Sequence, residues 1–168
     1  SAPSVVRSAT SGWPQWRGPH RDGVSAETGL QQAWPEGGPK LLWKVTGIGR
    51  CYSSPIVVED AVYVTGDHDQ ELVVNAFALD GQPRWKTANG KPWTKSYPGA
   101  RSSCAFDGGK LYHLNAQGDL ACLDAATGNM DGDSLASPTA WDVFLGSAHW
   151  DAVYTDVEQD AYVQLHNA

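Results

Sequence analysis

Residues 108–128 read GGKLYHLNAQGDLACLDAATG. Leu111, His113 and Asn115 alternate with Tyr112 and Leu114. Gly118-Asp119 interrupts the run, and Leu120, Cys122 and Asp124 then alternate with Ala121 and Leu123 before Ala-Ala-Thr-Gly closes it. Two short period-2 runs joined by a Gly-containing loop predict a β-hairpin followed by a turn. The pattern occurs once before, from Glu59 through Val64 and on through Ala76-Phe77-Ala78-Leu79-Asp80-Gly81. Ser53 and Ser102, Ser54 and Ser103, and Tyr63 and Tyr112 align at one constant offset. Leu79-Asp80 and Leu123-Asp124 align at a shorter one, because the second copy has the shorter hairpin loop. A repeat of about 40 to 50 residues with four short strands has the spacing of propeller blades.

The rest of the chain is placed relative to these copies. In the first, Ile56-Val57-Val58, Ala61 to Thr65, Leu72 to Leu79 and Arg84-Trp85-Lys86-Thr87 read as an up-and-down meander of four antiparallel strands. Residues 13–50 are dense in Trp, Pro and Gly, which forbids a long helix or a central strand and predicts an irregular arm. The arm ends in Leu42-Trp43-Lys44-Val45, which matches Arg84-Trp85-Lys86-Thr87 and is expected to be a strand that closes a ring from the N-terminal side. The boundaries are therefore 1–12, a disordered tether; 13–50, the arm with its ring-closing strand; 51–100, blade 1; 101–132, blade 2; and 133–168, an acidic tail or degenerate blade 3. Ser137-Pro138, Val143-Phe144-Leu145, Ala152-Val153-Tyr154 and Ala161 to Leu165 are the pieces from which a third blade would be built. The fold class is all-β: a partial β-propeller of four-stranded antiparallel blades.

Composition narrows the function. With 8 Trp, 18 Gly and one Met in 168 residues, many short strands with tight turns are favoured over helices. The formal charge of −7 argues against nucleic acid, since a phosphate binder needs a basic stripe and the sequence shows none. That charge is uneven: residues 1–50 carry six basic and three acidic side chains, whereas residues 129–168 carry seven acidic ones and no Lys or Arg. No apolar run reaches the length of a membrane span. Cys51, Cys104 and Cys122 lack zinc-ligand spacing and read as buried free thiols.

The Trp-Pro-Gln-Trp-Arg-Gly-Pro opening at 13–19, Tyr-Ser-Ser-Pro at 52–55, Val-Tyr-Val at 62–64 and Leu-Asp-Ala-Ala-Thr-Gly at 123–128 resemble the pyrroloquinoline-quinone-like (PQQ-like) β-propeller repeat family. The nearest branch is that of the bacterial outer-membrane assembly lipoprotein and its secreted relatives. The resemblance covers about residues 13–128. It implies a periplasmic or extracellular protein, its signal or lipid anchor removed or outside the sequence, that acts as a scaffold without catalysis. A smaller branch comprises PQQ-dependent alcohol and sugar dehydrogenases. The family pattern also places a Trp four residues beyond the turn Gly: Trp85 follows Gly81, but Gly132 follows Gly128. With two blades where propellers use four or more, the sequence reads as a fragment of a longer protein, with association of copies through open blade edges or a non-circular stack as the alternatives.

Function is accordingly expected to be non-enzymatic, with no cofactor and a protein partner at the cell envelope. A fragment of a PQQ-dependent dehydrogenase, using PQQ and Ca²⁺, and a carbohydrate-binding module suggested by the Trp content are the alternatives. No catalytic, cofactor-binding or metal position is assigned, since the cysteine pair and metal motifs of the dehydrogenase branch are not matched. Asp67-His68-Asp69-Gln70-Glu71 reads as a solvated loop tip in preference to a metal site, and His113 as a strand histidine. Asp80 and Asp124 read as turn-openers whose carboxylates accept nearby backbone amides, followed by Gly81 and Gly128. Trp43, Trp85, Tyr63 and Tyr112 complete the repeat signature. Arg17, Arg21, Arg50 and Arg101 are the rim or binding-surface candidates, Arg50 and Arg101 being read as equivalent positions before each Ser-Ser.

Overall fold

A computed structural model describes residues 12–131 and, as backbone, the strands His149–Thr155 and Ala161–His166. The described residues form nine strands and no helix. The first sheet runs β1 (Ile56–Val58), β2 (Ala61–Asp67), β3 (Leu72–Ala78) and β4 (Pro83–Ala88), each antiparallel to its neighbour in sequence order. The second runs β5 (Ala105–Asp107), β6 (Lys110–Leu114) and β7 (Leu120–Asp124) in the same way. Strands β8 (His149–Thr155) and β9 (Ala161–His166) pair with each other. The expected pieces at 137–145 lie outside the described residues.

Register explains which side chains meet. Tyr63 pairs with Ile56 on one side and Ala76 on the other, and Ala76 pairs with Trp85. One face of the first sheet therefore carries Ile56, Val58, Ala61, Tyr63, Val74, Ala76 and Trp85. That face packs on Cys104, Phe106, Leu111, Leu123 and Ala125 of the second unit in a single core. Fully burying a side chain such as Leu111 or Leu123 is worth about 1.5–3 kcal/mol, so the interface between the sheets is where the fold gains its stability. Tyr63 and Trp85 meet at 5.7 Å between ring centroids, and Tyr63 Oη and Trp85 Nε1 both donate to the Ala125 carbonyl at 3.0 Å. Tyr112, at the aligned position of the second unit, points to the opposite face, where it packs with Leu120 and Cys122. Each repeat thus aims its tyrosine away from the preceding unit.

The two signature tryptophans do the same job twice. Trp85 lies across Gly128, where an added Cβ would stand 2.5 Å from the indole, and Trp43 lies across Gly81, where it would stand 2.7 Å away. Both glycines have positive φ, +74° and +86°, so the turn needs glycine for conformation as well as for space. Trp43 Nε1 donates to the Leu79 carbonyl at 2.7 Å. The turns themselves are held by aspartates: Asp80 Oδ1 accepts the Gln82 amide at 3.0 Å, and Asp124 Oδ1 accepts the Thr127 amide and hydroxyl, each at 2.9 Å. These Thr127 hydrogen bonds hold the Asp124 carboxyl below its ordinary range.

One expectation is corrected. Leu42–Val45 is not a strand: residues 41–49 carry no ladder, and Leu41 and Leu42 are exposed. A strand is defined by its neighbours, and no described strand lies beside this one; only Trp43 is anchored, through the Gly81 turn. Beyond β7 the described residues add a bridge between Leu123 and Met130, with the Asp131 amide on the Cys122 carbonyl at 2.9 Å; the rest of a fourth strand would lie outside the described residues.

The arm contributes differently. Trp13 and Val57 exchange backbone hydrogen bonds of 2.6 and 3.0 Å, and the Pro14 carbonyl accepts the Phe106 amide at 2.8 Å. Two consecutive residues thereby cover the open edges of β1 and β5, the first strands of both sheets. At the other edge, Ala76 faces Trp85 while Phe77 faces Pro83, so Arg84 is the extra residue of a bulge. Its guanidinium reaches Asp60 across the turn between β1 and β2.

Candidate functional site

The seam between the sheets changes character along its length. At the Trp85 end it is apolar. At the end where β2 finishes and β3 begins it becomes polar and is spanned by the repeated serines. Thr65 Oγ1 donates to the Ser102 carbonyl at 3.0 Å with Ser53 Oγ 2.8 Å away, and the Ser54 amide donates to Ser103 Oγ at 3.0 Å. Equivalent Ser-Ser pairs therefore stitch one unit to the next.

Two buried ionisable side chains lie in this polar end. His113 is 0 % exposed and takes an Asn89 Nδ2 contact at 2.7 Å on Nδ1. Asn89 is itself tied to Leu72 by its amide, and its carbonyl accepts Asn115 Nδ2 at 3.1 Å. Burial is the main reason that the imidazole is pushed down to about 4, partly opposed by the Ser102 backbone. With Nδ1 accepting, the neutral ring carries its proton on Nε2. Asp67 closes β2. Its Oδ2 accepts the Trp93 amide at 2.8 Å, while Oδ1 is buried with no hydrogen-bond partner among the described residues. Burial raises this carboxyl above its ordinary range, against the lowering effects of the Trp93 amide and the His68 charge.

Asp67 is thus a structural residue and not part of an exposed acidic tip. The loop beyond it is closed by the His68 amide on the Glu71 carbonyl at 2.8 Å, leaving Asp69 and Glu71 exposed. Among the described residues no three His, Cys, Asp or Glu side chains converge where a metal ion could be held. The three cysteines are free. Cys104 is buried and its thiol is pushed up to about 12 by burial, which leaves it inert as a nucleophile.

The four candidate arginines separate into two pairs. Arg17 and Arg21 belong to the arm's own turn: Arg17 reaches the Asp22 carbonyl at 3.2 Å and lies 5.5 Å over the Trp16 ring, and Arg21 Nε donates to Gln15 Oε1 at 2.9 Å. Arg50 and Arg101 are brought to one rim by the parallel bridge between Cys51 and Ala100 and by the Ala100 amide on the Arg50 carbonyl at 3.1 Å. They are not equivalent positions. Tyr52, not Arg50, stands immediately before the first Ser-Ser, as Arg101 stands before the second.

Between them lies a surface that the sequence reading missed. The loop after Asn89 folds back through the Gly99 amide on the Trp93 carbonyl at 3.2 Å. Arg101 donates to the Ser96 and Tyr97 carbonyls, each at 2.8 Å, and Trp93 Nε1 donates to Ser96 at 2.9 Å. Lys95 Nζ and the Arg101 guanidinium sit 5.4 and 6.0 Å from the Trp93 ring centroid. Tyr52 and Tyr97 are 64 % and 77 % exposed beside it. The only sequence signal was Lys-Pro-Trp-Thr-Lys-Ser-Tyr-Pro at 91–98, an aromatic and basic run between blades.

No family model matches the chain, and no curated protein matches it. Among solved structures, it is similar to a europium-containing methanol dehydrogenase at 21 % identity and a TM-score of 0.41, over 54 % of this chain. The chain corresponds to 17 % of the length of that enzyme.

Proposed function

We propose that the chain is the blade-forming part of a non-enzymatic β-propeller scaffold, exported to the bacterial cell envelope, that binds another protein. One observation carries the reading. The facing surfaces of the two sheets are consumed by packing on each other, whereas the rim displays Tyr52 beside a fixed loop that carries Tyr97 and Arg101. Aromatic and arginine side chains held in place at a loop rim suit recognition more than chemistry. The export assignment rests on the resemblance of residues 13–128 to secreted repeat proteins.

The competing activity is quinone-dependent alcohol oxidation. It is tested by titrating PQQ with Ca²⁺ into the full chain and following cofactor absorbance and dye-linked oxidation of methanol and glucose. The scaffold reading expects no saturable spectral change and no dye reduction. A stoichiometric cofactor complex that reduces dye would overturn it.

A further inference from the structure

We propose that the arm is exchanged between two copies of this chain: Trp13 and Pro14 of one copy latch the sheets of the other, and the two arm segments that cross between the copies pack on each other. This association is independent of what the rim binds.

Three features of the arm point to exchange. The first is how it is held. Its near end is fixed to the sheets by three backbone hydrogen bonds, two between Trp13 and Val57 at 2.6 and 3.0 Å and one from the Phe106 amide to the Pro14 carbonyl at 2.8 Å. Its far end is fixed by Trp43 on the Gly81 turn. Among the described residues, the hydrogen bonds of 15–42 stay within the arm, as from the Gly18 amide to Gln15, Gly23 to Arg17, Gly38 to Pro35 and Val24 to Asp22. Residues 22–42 are all exposed except Gly38. A terminal element docked through few contacts, on a long segment that stands clear of the body, is traded between copies at low cost. Extended, residues 15–42 span up to about 90 Å, enough to reach a second copy. The latch is made by backbone groups on both sides, so a second copy offers the same donors and acceptors.

The second feature is where the apolar surface lies. Val24, Leu30, Trp34, Leu41 and Leu42 are 60 % to 80 % exposed and all belong to this segment, whereas no large apolar side chain of β1 to β7 is exposed. Two arms crossing between the same two bodies run side by side, and their apolar side chains then leave water against each other. The third feature is charge. The chain carries −7, so whole copies repel, but residues 15–42 hold three basic side chains, Arg17, Arg21 and Lys40, and three acidic ones, Asp22, Glu27 and Glu36. The arm is the neutral strip along which two such copies can meet. Each copy gives one arm and receives one, so the association closes at two.

The test combines sedimentation of the full chain from about 1 to about 100 µM with a disulfide trap. Trp13 and Val57 form a hydrogen-bonded antiparallel pair, a spacing of about 5.5 Å between Cα atoms that a disulfide can bridge. The wild type is expected to sediment as a dimer. Oxidised W13C/V57C should run as a covalent dimer on a non-reducing gel, with W13C and V57C alone as controls for the native thiols of Cys51, Cys104 and Cys122. Leu41→Ser/Leu42→Ser leaves the latch intact and should dissociate at least about tenfold more readily. A wild type that is monomeric throughout would overturn the exchange. A dimer in which W13C/V57C closes only within one chain would do the same, by placing the association on another surface. Unchanged affinity in the serine variant, which needs no added cysteine and stands if the trap variant does not fold, would overturn the packing of arm on arm.

Discussion

The two repeats begin alike and end differently. The first closes with β4 and Trp85, whereas the described part of the second holds three strands and a bridge to Met130, and its sequence has Gly132 where the tryptophan would stand. The difference shows whom the outer strand serves. Trp85 belongs to the first sheet by its backbone, but its ring covers the Gly128 turn of the second and its indole N–H satisfies Ala125 there. The second unit is completed by a residue it does not encode, and Trp43 supplies the same cover to the first from outside any sheet.

The largest effect should come from removing the better-supported tryptophan. Trp85→Ala is expected to cost about 3–5 kcal/mol in denaturant melts. Trp43→Ala, which strips an anchor from a segment with no ladder, should cost less than half of that. Equal losses would mean that strand membership adds nothing to the cap.

Next comes the polar end of the seam. His113 is held neutral in the fold, so the unfolded chain binds the extra proton first as pH falls. Stability from this group is intact above about pH 6.5 and declines toward pH 4, by up to about 3 kcal/mol. Melts of His113→Gln against the wild type between pH 7 and 4 check the sign: the wild type should lose stability faster, and parallel curves would place the proton elsewhere. Gly128→Ala should follow, at roughly 2 kcal/mol or more, since the methyl meets an indole fixed in a strand and a positive φ. Gly81→Ala should be milder because Trp43 can retreat. The smallest effect is expected at Arg84→Ala, under about 1 kcal/mol, because its pairing with Asp60 is exposed. A larger loss would make the bulge at Arg84 a structural necessity.

Much of the fold was legible because it is local. Short apolar runs between turn signals fixed β1 to β3, and alternation fixed β6 and β7, within a residue or two, while Asp-Gly and Asp-Ala-Ala-Thr-Gly marked the turns. Leu42–Val45 misled because its pattern matches β4, while pairing depends on neighbours that a pattern does not contain. The glycine-plus-four spacing located Trp85 but not its target, which lies in the next repeat. The rim was legible only in part. Arg50 and Arg101 could be placed near the serines, but Trp93, Lys95, Tyr97 and Tyr52 come together through a loop closure and a parallel bridge that leave no periodic trace. In sequence His113 reads as a strand histidine and Asp67 as part of a loop tip, and only packing shows that both are buried.

The clamp formed by Trp13 and Pro14 carries a kinetic consequence. Its partners, Val57 and Phe106, are far apart in sequence and meet only after both sheets exist, whereas the β2–β3 and β6–β7 hairpins close over short loops. Loop-closure entropy therefore orders assembly: hairpins first, the seam second, the arm last. Read in reverse, the arm is the first part to peel away, and its release bares the edges of β1 and β5 together while both sheets are still folded. The stretch with the least regular structure thus acts as the latch that keeps two ready-made strand edges from templating aggregation.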